Sequence, residues 1–297
     1  MQKRNQLQKS RLSSRILQNV EEQMQVEFVY NSNSIEGVTL SRGETALALK
    51  GMTVRGRSMT DVLAAQNHTH AIRLVKELAF GKKAIAERDI LGLHRAIMSG
   101  IISSAGEYRQ GDVQIWGASF TPPPAYMVQD LVRELVAFVG ENPEELRPIE
   151  LAAHAHYYMA WIHPFDDGNG RMARLLMNLI LLRNRYAIAV VKKVDRKKYL
   201  DTLDAVSGRG DFIPFLVFMA RCAEQTIDLY LNAINRGKPK EKLLPLSQLA
   251  KSTPYSAEYL GLLARKGALD AVKVGRVWKS TRKTVEAYSR ERGTKKA

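Results

Sequence analysis

Cysteine is nearly missing: the 297-residue chain has one, Cys222. A lone thiol excludes an internal disulfide and any cluster built on cysteine ligands, and its expected role is a buried structural group. Long apolar runs are missing too. No stretch of eighteen apolar residues exists, so neither a membrane-spanning helix nor a membrane partner is expected. The opening MQKRNQLQKSRLSSR is polar and basic, without the apolar segment that directs secretion, and cytoplasmic residence is the default expectation. Acidic residues are scarce against basic ones, 30 to 45, for a formal charge of +15. The shortage is local. From Arg236 to Ala297 there are 16 Lys and Arg but 5 Asp and Glu, which places +11 on that stretch and +4 on the rest. Such asymmetry suggests a separate basic module with a polyanionic partner, although charge alone equally fits a solvated tail.

What is present concentrates in one stretch, His163-Pro-Phe-Asp-Asp-Gly-Asn-Gly-Arg-Met-Ala-Arg174. Upstream, 150–162 (ELAAHAHYYMAWI) has no Pro or Gly and reads as a mostly apolar helix. Pro164 ends it and biases His163 away from helical angles, so the imidazole stands at the helix end. Downstream, Met172, Leu175, Leu176, Leu179 and Leu182 recur at helical spacing, so a second helix starts near Asn169. Helix, Gly-Asn-Gly turn, helix aims backbone N–H groups and the positive end of a helix dipole at one point, which makes an anion site. Arg171 and Arg174 share a face in the first turns, where cations are disfavoured unless an anion binds. Capping by Asp166 and Asp167 accounts for one or two of these residues and leaves the others unexplained.

Positions 163–174 resemble the motif of the Fic-domain proteins, His-Pro-Phe-x-Asp/Glu-Gly-Asn-Gly-Arg-x-x-Arg, without a departure. The resemblance implies a mainly α fold, a Fic-type helical core with a short β-hairpin flap, and transfer of AMP from ATP onto a Tyr, Ser or Thr hydroxyl of a target protein, with Mg²⁺. His163 would be the general base. Asp167 would bind Mg²⁺. Gly168, Asn169, Gly170, Arg171 and Arg174 would stabilise the phosphates, and Tyr199 resembles a family position near the nucleoside. Phosphoryl transfer and removal of AMP are variants open to the same site.

Residues 13–35 read as a helix with Gly37 in the C-cap position. Glu36 then sits at the helix's negative end, an ill-placed anion, as Arg171 and Arg174 are ill-placed cations. Pairing Glu36 with one of the arginines would relieve both. Ser32-x-x-x-Glu36-Gly37 resembles the inhibitory-helix motif of Fic proteins, which implies autoinhibition by Glu36. A helix is read over 60–80 with Val62, Leu63, Ala71, Leu74, Val75 and Leu78 inward. His68 and His70 are two apart, share no helical face and make no metal site. Another helix is read over 83–100, where His94 has no visible partner. Val113-Gln114-Ile115 alternates like a short strand before Pro122-Pro-Pro124; it resembles the Fic flap, which docks the target's main chain. Helices follow from Tyr126 to Glu141, from Asp195 to Ser207 and from Gly210 to Ile234. His156, seven before His163, is read as a packed support.

The expected organisation is an N-terminal region with the inhibitory helix (1–59), a catalytic core (60–235), a linker (236–242) and a small C-terminal domain (243–297). In the last, a short helix over 246–250, a helix capped by Ser256 and stopped by Gly267, a hairpin around Gly275-Arg276 and a final helix resemble a winged helix-turn-helix. Arg265 and Lys266 on its second helix, with Arg276 and Lys279 on its wing, are the expected DNA contacts. The partners expected are a target protein or the chain itself, DNA through this module, and a second copy, since the sequence admits a homodimer. A DNA-binding regulator whose Fic core senses nucleotide is the alternative function.

Overall fold

The computed structural model describes residues 14–81, 83–115, 117–237, 243–266, 269, 271–275 and 277–293. The chain divides into two compact units, Met1–Ala233 and Ile234–Ala297.

The first unit is helical. Helix α1 (Ser14–Ile35) leads into α2 (Arg42–Leu49), α3 (Met59–Phe80) and α4 (Glu87–Met98). Then come α5 (Val128–Glu141), α6 (Pro148–Ile162), α7 (Asn169–Arg183), α8 (Arg196–Arg209) and α9 (Ile213–Gly237). Local chemistry sets the starts. Ser41 and Glu44 form a reciprocal capping box on α2, Ser58 caps α3, and Pro148 occupies the first turn of α6, where its missing N–H costs nothing. Helix α7 is the axis. Every residue from Arg171 to Leu181 is buried, and a helix apolar nearly all round belongs inside a core. Helix α6 packs against it, and so does α3, with Ala64, Ala65, Ala71, Ile72 and Val75 buried. The inward face of α3 is therefore narrower than the spacing predicts: Val62, Leu63, Leu74 and Leu78 are only partly buried, and small alanines make the close approach.

Several boundaries shift. The helix expected from residue 83 begins at Glu87, where Asp89 closes onto the Ala86 amide. Helix α9 runs through Gly237, two residues into the expected linker; 238–242 lie outside the described residues. Cys222 is buried on α9, and burial pushes its thiol up to about 12, so it is an inert packing group. Val113–Ile115 forms no strand among the described residues. The first unit has no described strand for it to pair with, so the expected β-hairpin flap is not formed among the described residues.

The second unit has its own small core of Leu246, Leu249, Leu260, Leu263, Leu269 and Val285. Helix α10 (Leu246–Ala250) is followed by α11 (Ala257–Arg265), which Ser256 caps through its hydroxyl, and α12 (Arg282–Gly293) closes the unit. Strands β1 (Leu244–Pro245) and β2 (Val272–Val274) pair antiparallel on either side of β3 (Val277–Ser280). Strand β1 was not foreseen; its Pro245 is tolerated because β1 is an edge. Gly267 and Arg276 lie outside the described residues.

Candidate active site

The site is built on the turn between α6 and α7. His163 ends α6 in the left-handed region, φ 49° and ψ 57°. A residue before proline ordinarily extends, so this backbone is held against its own preference. What holds it is Arg109, on the connection after α4. Its side chain is fully buried and its Nε donates to His163 O at 2.8 Å, while Nη1 donates to Gly111 O at 2.8 Å and Nη2 to Pro123 O. The Arg109 amide adds a bond to Pro164 O at 3.0 Å. His163 Nδ1 lies 3.2 Å from Ala160 O, a group that only accepts, so Nδ1 carries the proton and Nε2 keeps a lone pair. Burial, foremost, lowers the imidazole's pKa; the Arg109 charge adds to this, and Glu36 and Asp167 oppose it.

The loop then turns on Gly168, φ 82°, into α7. A Cβ there would meet Met98 Sδ at 2.9 Å, so glycine is required by space as well as by angle. Asn169 spends its side chain on the loop itself, its Oδ1 accepting from Phe165 N at 3.0 Å and its Nδ2 donating to Phe165 O at 2.8 Å. Met172 N–H bonds to Gly168 O at 2.9 Å, and the amides of 169–171 before it have no partner within the helix. Asp167 is half-exposed, with Oδ1 accepting from Gly168 N and Oδ2 from Arg171 Nη2 at 3.2 Å.

Arg174 is 1% exposed and is gripped by α1. Its Nε donates to Ser32 Oγ at 3.0 Å, and its Nη2 to Ser32 O at 2.9 Å and Glu36 Oε1 at 2.6 Å. The pairing of ill-placed charges expected from the sequence is thus present, with Arg174 rather than Arg171. The Glu36 carboxylate also lies over the first turn of α7, so close that a Cβ on Gly170 would sit 2.4 Å from Oε1. Two donors remain buried without a partner, Arg171 Nε and Arg174 Nη1. The start of α7 and the buried Arg174, with the Glu36 carboxylate seated between them, make an anion site occupied by the protein's own anion, while Arg171 is held by Asp167. Gly37, φ 95°, ends α1 just beyond.

Beside this anion site opens a cavity of about 240 Å³ whose lining includes His163, Glu36, Arg174, Tyr157, Leu203 and Tyr199. Tyr199 is buried, its hydroxyl 2.9 Å from Nε2 of the fully buried His156, so His156 is the packed support its spacing indicated. Of the expected flap, Ile115 reaches the cavity and Gln114 is exposed. Among the described residues no three His, Cys, Asp or Glu side chains converge as a metal site. Mg²⁺ needs no such cage, because one carboxylate with phosphates and waters satisfies it, and the half-exposed Asp167 on the loop before α7 fits that need. Arg109, His94, Asn31 and Arg196 belong to the site's support and carried no signal in sequence. Asn31 Oδ1 accepts from Lys193 N at 2.9 Å, and Arg196 Nε donates to Ile35 O at 3.0 Å, so both moor the end of α1 that carries Glu36.

A left-handed histidine at one helix end thus lines the same cavity as a helix start that holds an anion. Residues 84–181 match the Fic/DOC family, and the chain belongs to that family. A protein adenylyltransferase Fic of Nematostella vectensis is 37% identical over 69% of this chain and 48% of its own length. One of Aedes aegypti is 32% identical over 93% of this chain and 56% of its own. The chain spans about half the length of these curated relatives. Among solved structures, Fic-1 of C. elegans (residues 134–508) superposes with a TM-score of 0.73 at 30% identity, over 80% of this chain and 71% of that one. A Fic domain containing signalling protein of Bacteroides thetaiotaomicron reaches 0.74 at 28% identity, over 80% and 97%.

Proposed function

We propose that this protein is an autoinhibited protein adenylyltransferase. The observation that carries the reading is the Glu36 carboxylate seated among Arg174, Gly170 and the start of α7, in the cavity that His163 also lines. With Glu36 withdrawn, the triphosphate of ATP takes its place. Arg171 and Arg174 then turn their unpartnered donors to phosphate oxygens, and the first amides of α7 face the same charge. His163 Nε2 removes the proton from a Tyr, Ser or Thr hydroxyl of the target. That oxygen forms a bond to the α-phosphorus, the bond to the bridging oxygen breaks, and pyrophosphate leaves, so AMP ends on the target and the proton on His163. Asp167 would hold Mg²⁺, which neutralises phosphate charge when bound. The apolar walls at Tyr157, Leu203 and Tyr199 suit the nucleoside. Val113, Gln114 and Ile115, with backbone groups outside any ladder, suit an extended target segment.

Supplying ATP labelled at the α or the γ phosphate tests this. Glu36→Gly is expected to raise protein-bound α label at least tenfold over the parent, and His163→Ala to abolish it. Protein-bound γ label instead means phosphoryl transfer, and an unchanged rate in Glu36→Gly refutes the autoinhibition.

One feature favours a second reading, a DNA-binding regulator with a nucleotide-sensing core. In the C-terminal unit Arg265, Lys266, Lys273, Arg282 and Lys283 are exposed, and among the described residues none of them has an ion-pair partner; Lys279 is half-buried on β3. A helix–helix–hairpin–helix unit of that charge suits duplex DNA as a winged helix-turn-helix. Duplex affinity that falls steeply with salt, with a shallower slope in Arg265→Ala/Lys266→Ala, is the expected result; no binding at low salt refutes it.

A further inference from the structure

We infer that His94 is a positioning residue for the transfer reaction, an imidazole protonated on Nε2 that fastens the root of the target-docking segment to the loop carrying Asp167. This rests on the adenylyltransferase reading. His94 is fully buried on α4, and its two ring nitrogens meet backbone groups of opposite kind. Nδ1 lies 2.9 Å from Gly106 N, whose N–H only donates, so Nδ1 bears no proton. Nε2 lies 3.0 Å from Asp167 O, which only accepts, so Nε2 bears it. The tautomer is therefore set by two loops at once. The ring stacks on Phe165 of the same loop, centroids 3.6 Å apart and 5° from parallel.

Two further bonds run parallel to this one. Ser104 Oγ donates to Asp166 Oδ2 at 2.6 Å, and Arg109 N–H to Pro164 O at 3.0 Å. Residues 104–109 and 163–168 thus form one body with His94 as its buried peg. A merely structural buried histidine needs partners somewhere in the core; both partners of this one are the two segments that must hold register for transfer. His94 does not line the cavity, so it is not itself a base. Asp167 and the first amides of α7 hang from the loop it pins, and small misplacements of such groups are costly to rate.

The test uses the Glu36→Gly chain as the active parent. Adding His94→Phe, which keeps the stack and deletes both hydrogen bonds, is expected to lower kcat by about 10- to 100-fold. KM for ATP should move far less, and His94→Gln, which restores an amide N–H, should recover part of the rate. Long-range ¹H–¹⁵N spectra of the unsubstituted protein are expected to show His94 protonated at Nε2. An unchanged kcat in a folded His94→Phe chain overturns the proposal, and so does an Nδ1-protonated ring in the spectra, which decide the matter even if the variants fail to fold. Absence of α label from the Glu36→Gly parent would instead sink the adenylyltransferase reading, leaving the spectral result intact.

Discussion

His163 shows how much of its chemistry is imposed from outside the side chain. Its left-handed backbone puts Nδ1 against Ala160 O, and burial then favours the uncharged ring. A base works in its unprotonated form, so its rate contribution is lost as pH falls through its pKa. Because that pKa is held below the ordinary 6.5, the acid limb of kcat/KM in Glu36→Gly is expected below pH 6.5. Removing Glu36 removes a charge that raises the pKa, which moves the limb lower still. A limb centred near pH 7 or above in the pH–rate profile would contradict this.

Among the connecting elements, the segment between α4 and α5 has almost no regular structure yet aligns the site, and it does so through Arg109. The buried guanidinium serves the carbonyls of His163, Gly111 and Pro123. Arg109→Ala strands those acceptors, at about 1–3 kcal/mol for each one left buried and unpaired. A loss of about 3 kcal/mol or more in urea unfolding is expected, and Arg109→Lys should recover little, because a point charge cannot span a fork. A loss under about 1 kcal/mol would show that water replaces the fork. Helices were the readable elements here. The unbroken apolar stretch of α6 and the helical spacing of α7 announce themselves locally, whereas nothing near Arg109 says that it reaches His163, 54 residues on.

For the whole molecule, three buried imidazoles make folding sensitive to acid. Burial drives His68 down to about 3, His94 to about 4 and His156 well below its ordinary value. The unfolded chain takes up these protons near pH 6.5, before the folded one does, so their stabilisation is complete above that pH. It is lost as pH falls toward the folded values, by roughly 1.4 kcal/mol per pH unit for each ring. Denaturant unfolding at pH 7, 6 and 5 should therefore show stability dropping with an uptake of about three protons or more at pH 5, since His163 is lowered as well. Stability that stays flat over that range would mean the rings are already charged in the fold.

By itself the chain's order of residues determined the two-helix turn, the anion site, the clash of charges at Glu36 and Arg174 and the basic C-terminal stretch, because capping, helical period and helix dipoles act over a few neighbouring residues. Only the tertiary structure decided that Arg174 rather than Arg171 takes Glu36, that Asn169 serves its own loop, that Val113–Ile115 makes no strand, and that His94 and Arg109 bind the site together. Those outcomes depend on which surfaces meet across long stretches of chain, and no local periodicity encodes the meeting.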